Sequence, residues 1–319
     1  MNESKSDCIR FKPIECNSKI YISGMGTKSA GGEVSIVDGK DFKEIKKLEL
    51  SSNVRGIDVN DRTKRVYVAN ITKNTVSVID ARTDKIIKSV SVGDSPFYLR
   101  VNPVTNLIYV ANRGSHHVSV IDGVTNKVVK NIKTRGSNLQ AKIDINTITN
   151  RVYVSNNGSG NLTVIDGVKN EVIDYVDVGS SPSGIAVNPR TNKVYIGYNS
   201  ANVDYISVMD GEKNSIIGKI FVEKRPQFLR ANPDTDTIYV SNTSDGSMSV
   251  VDGVRDEVIR SFRVGLAPYD IFVDKTSNLV FVANYSSGDV AVVRGSEPGV
   301  VGLIEPSLCG LWGVGVVNL

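Results

Sequence analysis

The stretch NPVTNLIYVANRGSHHVSVIDG, residues 102–123, carries both histidines of the chain, His116 and His117, side by side. A histidine pair invites a metal or acid–base reading. The rest of the chain answers first, because this stretch is one copy of a repeat. Its closing element, VSVID, recurs as VSIVD ending at Asp38 and VSVID at Asp80 and Asp122. It continues as LTVID at Asp166, ISVMD at Asp210 and MSVVD at Asp252, and a seventh copy, VAVVR, puts Arg294 where the aspartate belongs. Successive intervals are 42, 42, 44, 44, 42 and 42 residues. The YVAN element keeps the same phase at Tyr67, Tyr109, Tyr153, Tyr195, Tyr239 and Phe281, with Tyr21 as a degenerate first copy.

A period of about 40–45 residues is that of propeller blades, and the local pattern agrees. LIYVAN and HVSVID are short runs rich in Val, Ile and Tyr, bounded by Asn, Gly, Asp and Pro, as strands are. No segment carries apolar residues at helical spacing over three turns. Each unit reads as four strands: an inner one of the FYLRVN type, then LIYVAN, then HVSVID, then an outer one of the KVVKNI type. NPVTN and DGVTNK supply the tight turns. Such sheets bury their apolar sides by stacking, and closing the stack into a ring removes its ends. The predicted fold is all-β: a seven-bladed β-propeller with four antiparallel strands per blade. The first unit begins at KIYIS, residues 19–23, and LWGVGVVNL, residues 311–319, supplies its missing inner strand. There Val314 and Val316 match the Ile57/Val59 and Leu99/Val101 pairs. The alternative is that IRFKPIE, residues 9–15, takes that place. Residues 1–18 are then a lead-in and 19–319 a single domain.

Composition bounds the partners. Of 319 residues, 40% are hydrophobic and 23% charged, which excludes a disordered chain. The net charge of +4 is mild and its lysines and arginines are scattered, so nucleic acid is not expected. The N-terminus has no apolar stretch of the secretory kind. The expectation is a soluble, cytoplasmic monomer that inserts in no membrane; a processed N-terminus would make it secreted or cell-surface. Cys8, Cys16 and Cys309 have no metal-binding spacing. Ring closure brings Cys309 toward Cys16 and Cys8, while a reducing compartment favours free thiols.

YVAN, YVSN, VNPxTN and VxVIDG together span residues 19 to 318, and in them the chain resembles the YVTN-type β-propellers of bacteria and archaea. The resemblance implies the fold and little chemistry, because that family includes surface-layer modules and binding proteins. Fold alone transfers no function.

Most repeated polar residues read as scaffold. The aspartates end strands and precede Gly in five of six copies, where a carboxylate accepts turn N–H groups. The YVAN tyrosines and NPxTN asparagines read as packing and turn chemistry. GMGTKSAGG, residues 24–32, lies between two strands and opens no helix, so it reads as a loop, not a phosphate cradle. His116 and His117 read as solvated loop residues.

Length variation is more informative. The turns between first and second strands keep one length, whereas units one and five lengthen the loop between second and third strands. KTRGSNLQ, residues 133–140, lengthens the entry to the fourth inner strand. Both kinds of connection emerge on one face, and binding surfaces are built on variable loops over a rigid scaffold. Aligning the inner strands gives two channel-lining columns: Asp58, Arg100, Asp144, Ala186, Arg230, Phe272, Gly315, and two residues earlier Gly56, Tyr98, Lys142, Gly184, Phe228, Asp270, Gly313. Neither repeats. The candidate ligand site is therefore Arg100, Arg230 and Lys142 with Tyr98, Phe228 and Asp270. Arginine forks suit carboxylate or phosphate, so the expected ligand is anionic or planar and enters from the variable face. Asp58, Asp144 and Asp270 could instead neutralise those cations internally. The expected function is a non-enzymatic module binding a small anion or a protein, with no catalytic residue, metal or cofactor assigned. The alternative is a propeller lyase, hydrolase or lactonase using a divalent metal at the mouth, with Asp270, His116 or His117 as ligand or base; a carboxylate-only Ca²⁺ or Mg²⁺ site would also serve. A third option is a cell-surface array module.

Overall fold

The computed structural model describes residues 18–26, 31–51, 53–135 and 142–319. They form seven four-stranded antiparallel sheets, each of which is one blade. The inner strands, in blade order, are Leu308–Asn318, Val54–Asn60, Pro96–Asn102, Ile143–Asn146, Pro182–Asn188, Pro226–Asn232 and Pro268–Asp274. Blade three is representative: Leu107–Asn112, His117–Asp122 and Lys127–Lys133 follow its inner strand outward. Among the described residues no helix is long and apolar enough to cross a membrane.

The chain closes as its repeat count requires. In blade one Leu308–Asn318 pairs with Ser18–Gly26, placing Tyr21 opposite Gly315 and Ile22 opposite Val314. The inner place is thus filled from the C-terminal end; residues 9–15 lie outside the described residues. Asn318 N–H also donates to Asp61 of blade two at 2.8 Å. Cys309 is exposed, and its expected partners Cys8 and Cys16 lie outside the described residues.

Apolar side chains pack between blades. One cluster joins Tyr67, Val76 and Val78 of blade two to Leu99, Ile108 and Val110 of blade three, and equivalent clusters fill the remaining blade boundaries. Truncating one fully buried Ile or Leu in such a core costs about 2–5 kcal/mol. The repeated polar residues stitch the same boundaries. The inner-strand asparagine of each motif reaches the last turn residue of the next blade: Asn60 to Asn106 at 2.7 Å, Asn102 to Asn150 at 2.8 Å, Asn146 to Asn192 at 2.7 Å and Asn188 to Asp236 at 2.9 Å. The acceptors sit at positive φ, 57° at Asn106 and 54° at Asn150, which Asn and Asp tolerate best among non-glycine residues. Tyrosine hydroxyls cross the same boundaries to the outer turn of the next blade, Tyr109 to Asn170 at 2.8 Å and Tyr195 to the Gly253 carbonyl at 3.0 Å. The repeated aspartates accept turn N–H groups as expected; Asp122 Oδ1 takes those of Val124 and Thr125 at 2.9 and 2.7 Å.

His116 has φ of 49°, in the turn position that Gly160, Gly246 and Gly288 hold in other blades. It is a turn residue and exposed. His117 begins a strand, with Nδ1 3.1 Å from the Ser115 carbonyl and Nε2 3.3 Å from Ser119 Oγ.

Candidate ligand site in the central channel

Inner strands line the channel, so its chemistry follows from which side chain each blade sends inward. The two non-repeating columns form two layers, and a third group of residues forms the mouth on the loop face.

The layer nearest the short turns is a charge network. Arg100 donates to Asp144 Oδ1 from Nε at 2.8 Å and approaches it with Nη2 at 2.7 Å, while its Nη1 lies 3.6 Å from Asp58. Arg230 Nη2 lies 3.5 Å from Asp58 Oδ1. The aspartates also clamp neighbouring blades: Asp58 accepts the Val101 N–H at 2.9 Å and Asp144 the Val187 N–H at 2.8 Å. Burial pushes the Asp58 and Asp144 carboxyls up, and Arg100 opposes it. Burial disfavours charge on Arg100 too, but Asp144 and Asp58 more than offset it, leaving its pKa raised. A cavity of about 180 Å³ adjoins this layer and is bordered by Pro103, Pro189 and Pro233 of the short turns.

The next layer crosses the channel. Lys142 Nζ of blade four bonds Asp270 of blade seven at 2.8 Å. The ammonium sits 3.4 Å from the centroid of Tyr98 and 4.4 Å from that of Phe228, within cation–π range. Burial between those rings pushes Lys142 down to about 8, against the pull of Asp270. Burial pushes Asp270 up, against Lys142. Glycines make the layer possible. A Cβ on Gly56 would lie 3.0 Å from the Tyr98 Cα, and one on Gly184 would lie 2.5 Å from the Gln227 carbonyl oxygen. Each bare strand admits the bulky residue of the next blade.

The mouth is not built from Tyr98 and Phe228, the aromatic members of the candidate site. Tyr98 and Phe228 present no aromatic surface there, being only 7% and 2% exposed in a cluster with Phe97. Apolar rings of this size are driven under cover by the water they displace. The exposed aromatic surface comes from half-buried Tyr269, Tyr285 and Trp312 instead. Tyr269 and Trp312 meet edge-on at 5.0 Å and 86°, and Tyr285 lies 4.5 Å from Trp312 between centroids. Arg55 sits over this group, with Cζ 3.5 Å from the Trp312 ring centroid. It also faces the Phe97 ring at 5.8 Å, which Arg113 approaches at 5.7 Å. Beside them a cavity of about 330 Å³ is lined by Ile71, Ser95, Arg113, Gly114 and His116.

Arg55 has no carboxylate within ion-pair distance among the described residues. Its Nη1 donates to Asn53 Oδ1 at 2.6 Å and the Val54 carbonyl at 3.1 Å. Its buried Nε has no partner, and neither do Tyr98 Oη and Trp312 Nε1 nearby. Burial pushes the Arg55 pKa down, with Arg113 acting in the same direction. The structure thus divides the sequence candidates: Lys142, Asp270, Tyr98 and Phe228 form one layer beneath the mouth, and Arg100 and Arg230 lie beyond it toward the turn face.

Sequence reasoning missed Arg55, Tyr269 and Trp312. Each stands one place before the second column, where strict alternation points a side chain away from the channel. Pairing shifts between Val54 and Ile57, and between Pro268 and Asp270, break that alternation at the mouth. The signal was present, since this place reads Arg55, Phe97, Ala141, Ser183, Gln227, Tyr269 and Trp312 and does not repeat. Among the described residues no group of three or more His, Cys, Asp or Glu is placed to hold a metal ion.

Residues 193–306, the later part of blade five through blade seven, match the sequence model of a family described as Lactonase, 7-bladed beta-propeller. A comparison with curated proteins gives no match. Among solved structures, hydrazine synthase of Kuenenia stuttgartiensis is similar with a TM-score of 0.73 and 15% identity, over 92% of this chain and 99% of that one. A functionally unknown protein from Desulfotomaculum acetoxidans is similar with a TM-score of 0.78 and 14% identity, over 95% and 99%. At such identities the likeness concerns the fold.

Proposed function

We propose that the chain is a non-enzymatic binding module that takes a ligand bearing an anionic, planar group at the channel mouth on the loop face. The observation that carries this reading is Arg55. Each cation deeper in the channel has a carboxylate beside it, whereas this guanidinium is held on aromatic rings without one. An unpaired buried charge is costly, and a ligand carboxylate would offset that cost with a bidentate, charge-assisted pair. Two neighbouring orphans at the mouth, Arg55 Nε and Trp312 Nε1, are donors only. Donors without acceptors favour an acceptor-only guest. Tyr269 and Tyr285 offer flanking surface for its ring.

Benzoate, a planar carboxylate, is the probe. Calorimetry should find a site weakened about tenfold or more in Arg55→Gln, the loss expected for one charge-assisted pair. Absence of binding, or equal affinity in the variant at unchanged melting temperature, would contradict the proposal.

The family match over residues 193–306 favours a second reading, a lactone hydrolase. There the same donors would hold a developing oxyanion. Following ring opening of a simple δ-lactone by proton release separates the two. The binding reading expects the buffer rate; a faster rate that Arg55→Gln abolishes would replace it.

A further inference from the structure

The cavity of about 180 Å³ at the turn end of the channel is a separate chamber. Tyr98, Lys142, Phe228 and Asp270 do not line it, since they form the layer above. Its wall carries three cations, Arg100, Arg230 and Lys275, against two carboxylates, Asp58 and Asp144.

Those carboxylates are already committed. Asp144 Oδ1 takes Arg100 and the Ile145 N–H, and its Oδ2 takes the Val187 N–H. Asp58 Oδ2 takes the Val101 N–H, and its remaining oxygen is the one nearest Arg230. Arg100 is spent on Asp144 in turn. Arg230 is not. Its single carboxylate contact is 3.5 Å long, well beyond the roughly 2.7–2.9 Å of a strong charge-assisted bond. A guanidinium carries five N–H donors, and no other acceptor for those of Arg230 occurs among the described residues. Its Cζ stands 5.4 Å from the Phe272 ring, which keeps one side of the fork dry.

We propose that this chamber is a second binding site, which takes a small oxyanion, a carboxylate or phosphate group, on the free edge of Arg230. Lys275, exposed at the rim, draws the anion in. The chamber admits an acetate- or phosphate-sized group. Pro103, Pro189 and Pro233 of the short turns add apolar surface to its wall.

The test uses the full chain with inorganic phosphate and, separately, acetate, each titrated by calorimetry. The expected result is one millimolar or tighter site, weakened about tenfold in Arg230→Gln and by a smaller factor in Lys275→Glu. Binding unchanged in Arg55→Gln would separate this chamber from the mouth. Should Arg230→Gln fail to fold, Lys275→Glu decides, because an exposed rim residue can be changed without touching the network. Phosphate or acetate alone giving a signal identifies which oxyanion the chamber prefers. No uptake of either anion, or affinity unchanged in both Arg230→Gln and Lys275→Glu, would overturn the proposal.

Discussion

Arg100 and Arg55 are the same side chain in opposite circumstances. Arg100 is wedged between Asp144 and Asp58, both of which also hold backbone N–H groups of adjoining blades. Arg55 rests on Trp312 with its Nε unsatisfied. Replacing Arg100 with Met leaves two buried carboxylates short of a counter-charge and should cost about 3–5 kcal/mol by urea denaturation. Arg55→Gln removes a stacked but unpaired cation and should cost about 1 kcal/mol or less. A reversed order would mean that Arg55 is scaffold and Arg100 is not. The sequence could show that channel positions differ from blade to blade, and it raised both readings of Arg100. It could not choose between them, because partners 44 residues apart, Arg100 and Asp144, meet only once the ring curvature is set.

Strands and turns were the most legible level, because their chemistry is local. Asp122 closes its turn through bonds to residues two and three places on, so a single repeat suffices to read it. The same holds at Asp166, Asp210 and Asp252. Blade seven is the departure. With Arg294 in that position the turn is closed by a 3.3 Å bond from Arg294 N–H to the Gly299 carbonyl. The turn N–H groups hold the Asp122 carboxyl below its usual value, the Thr125 N–H most of all. A folded-state pKa below the unfolded one stabilises the protein above the unfolded value, and that stabilisation is lost as pH falls through the folded value. Asp122→Asn keeps the acceptor oxygen and loses the charge. The wild type should therefore be the more stable at neutral pH, with the difference vanishing on acidification below the usual carboxylate range. Urea midpoints for both proteins across that range give the answer. A difference that persists in strong acid would mean that shape, and not charge, closes the turn.

At the scale of the molecule the ring could be counted before it was seen. Seven repeats with one strand missing at the start and one spare at the end point to the C-terminal strand, with residues 9–15 as the alternative, and Leu308–Asn318 takes the place. The mouth was less legible. Bulges near the loop ends of the inner strands bring Arg55 and Tyr269 into positions that a period of two assigns elsewhere. The result is a channel divided by the Lys142–Asp270 bridge, with an aromatic, under-neutralised mouth on the loop face and a charged chamber on the turn face. The claim that the mouth recognises an anion is tested most directly by locating one there. In crystals soaked with 4-bromobenzoate, anomalous scattering from bromine should place the ring against Tyr269 and Trp312, with the carboxylate on Arg55. Bromine found only outside the mouth, with Arg55 unmoved on Trp312, would contradict the account.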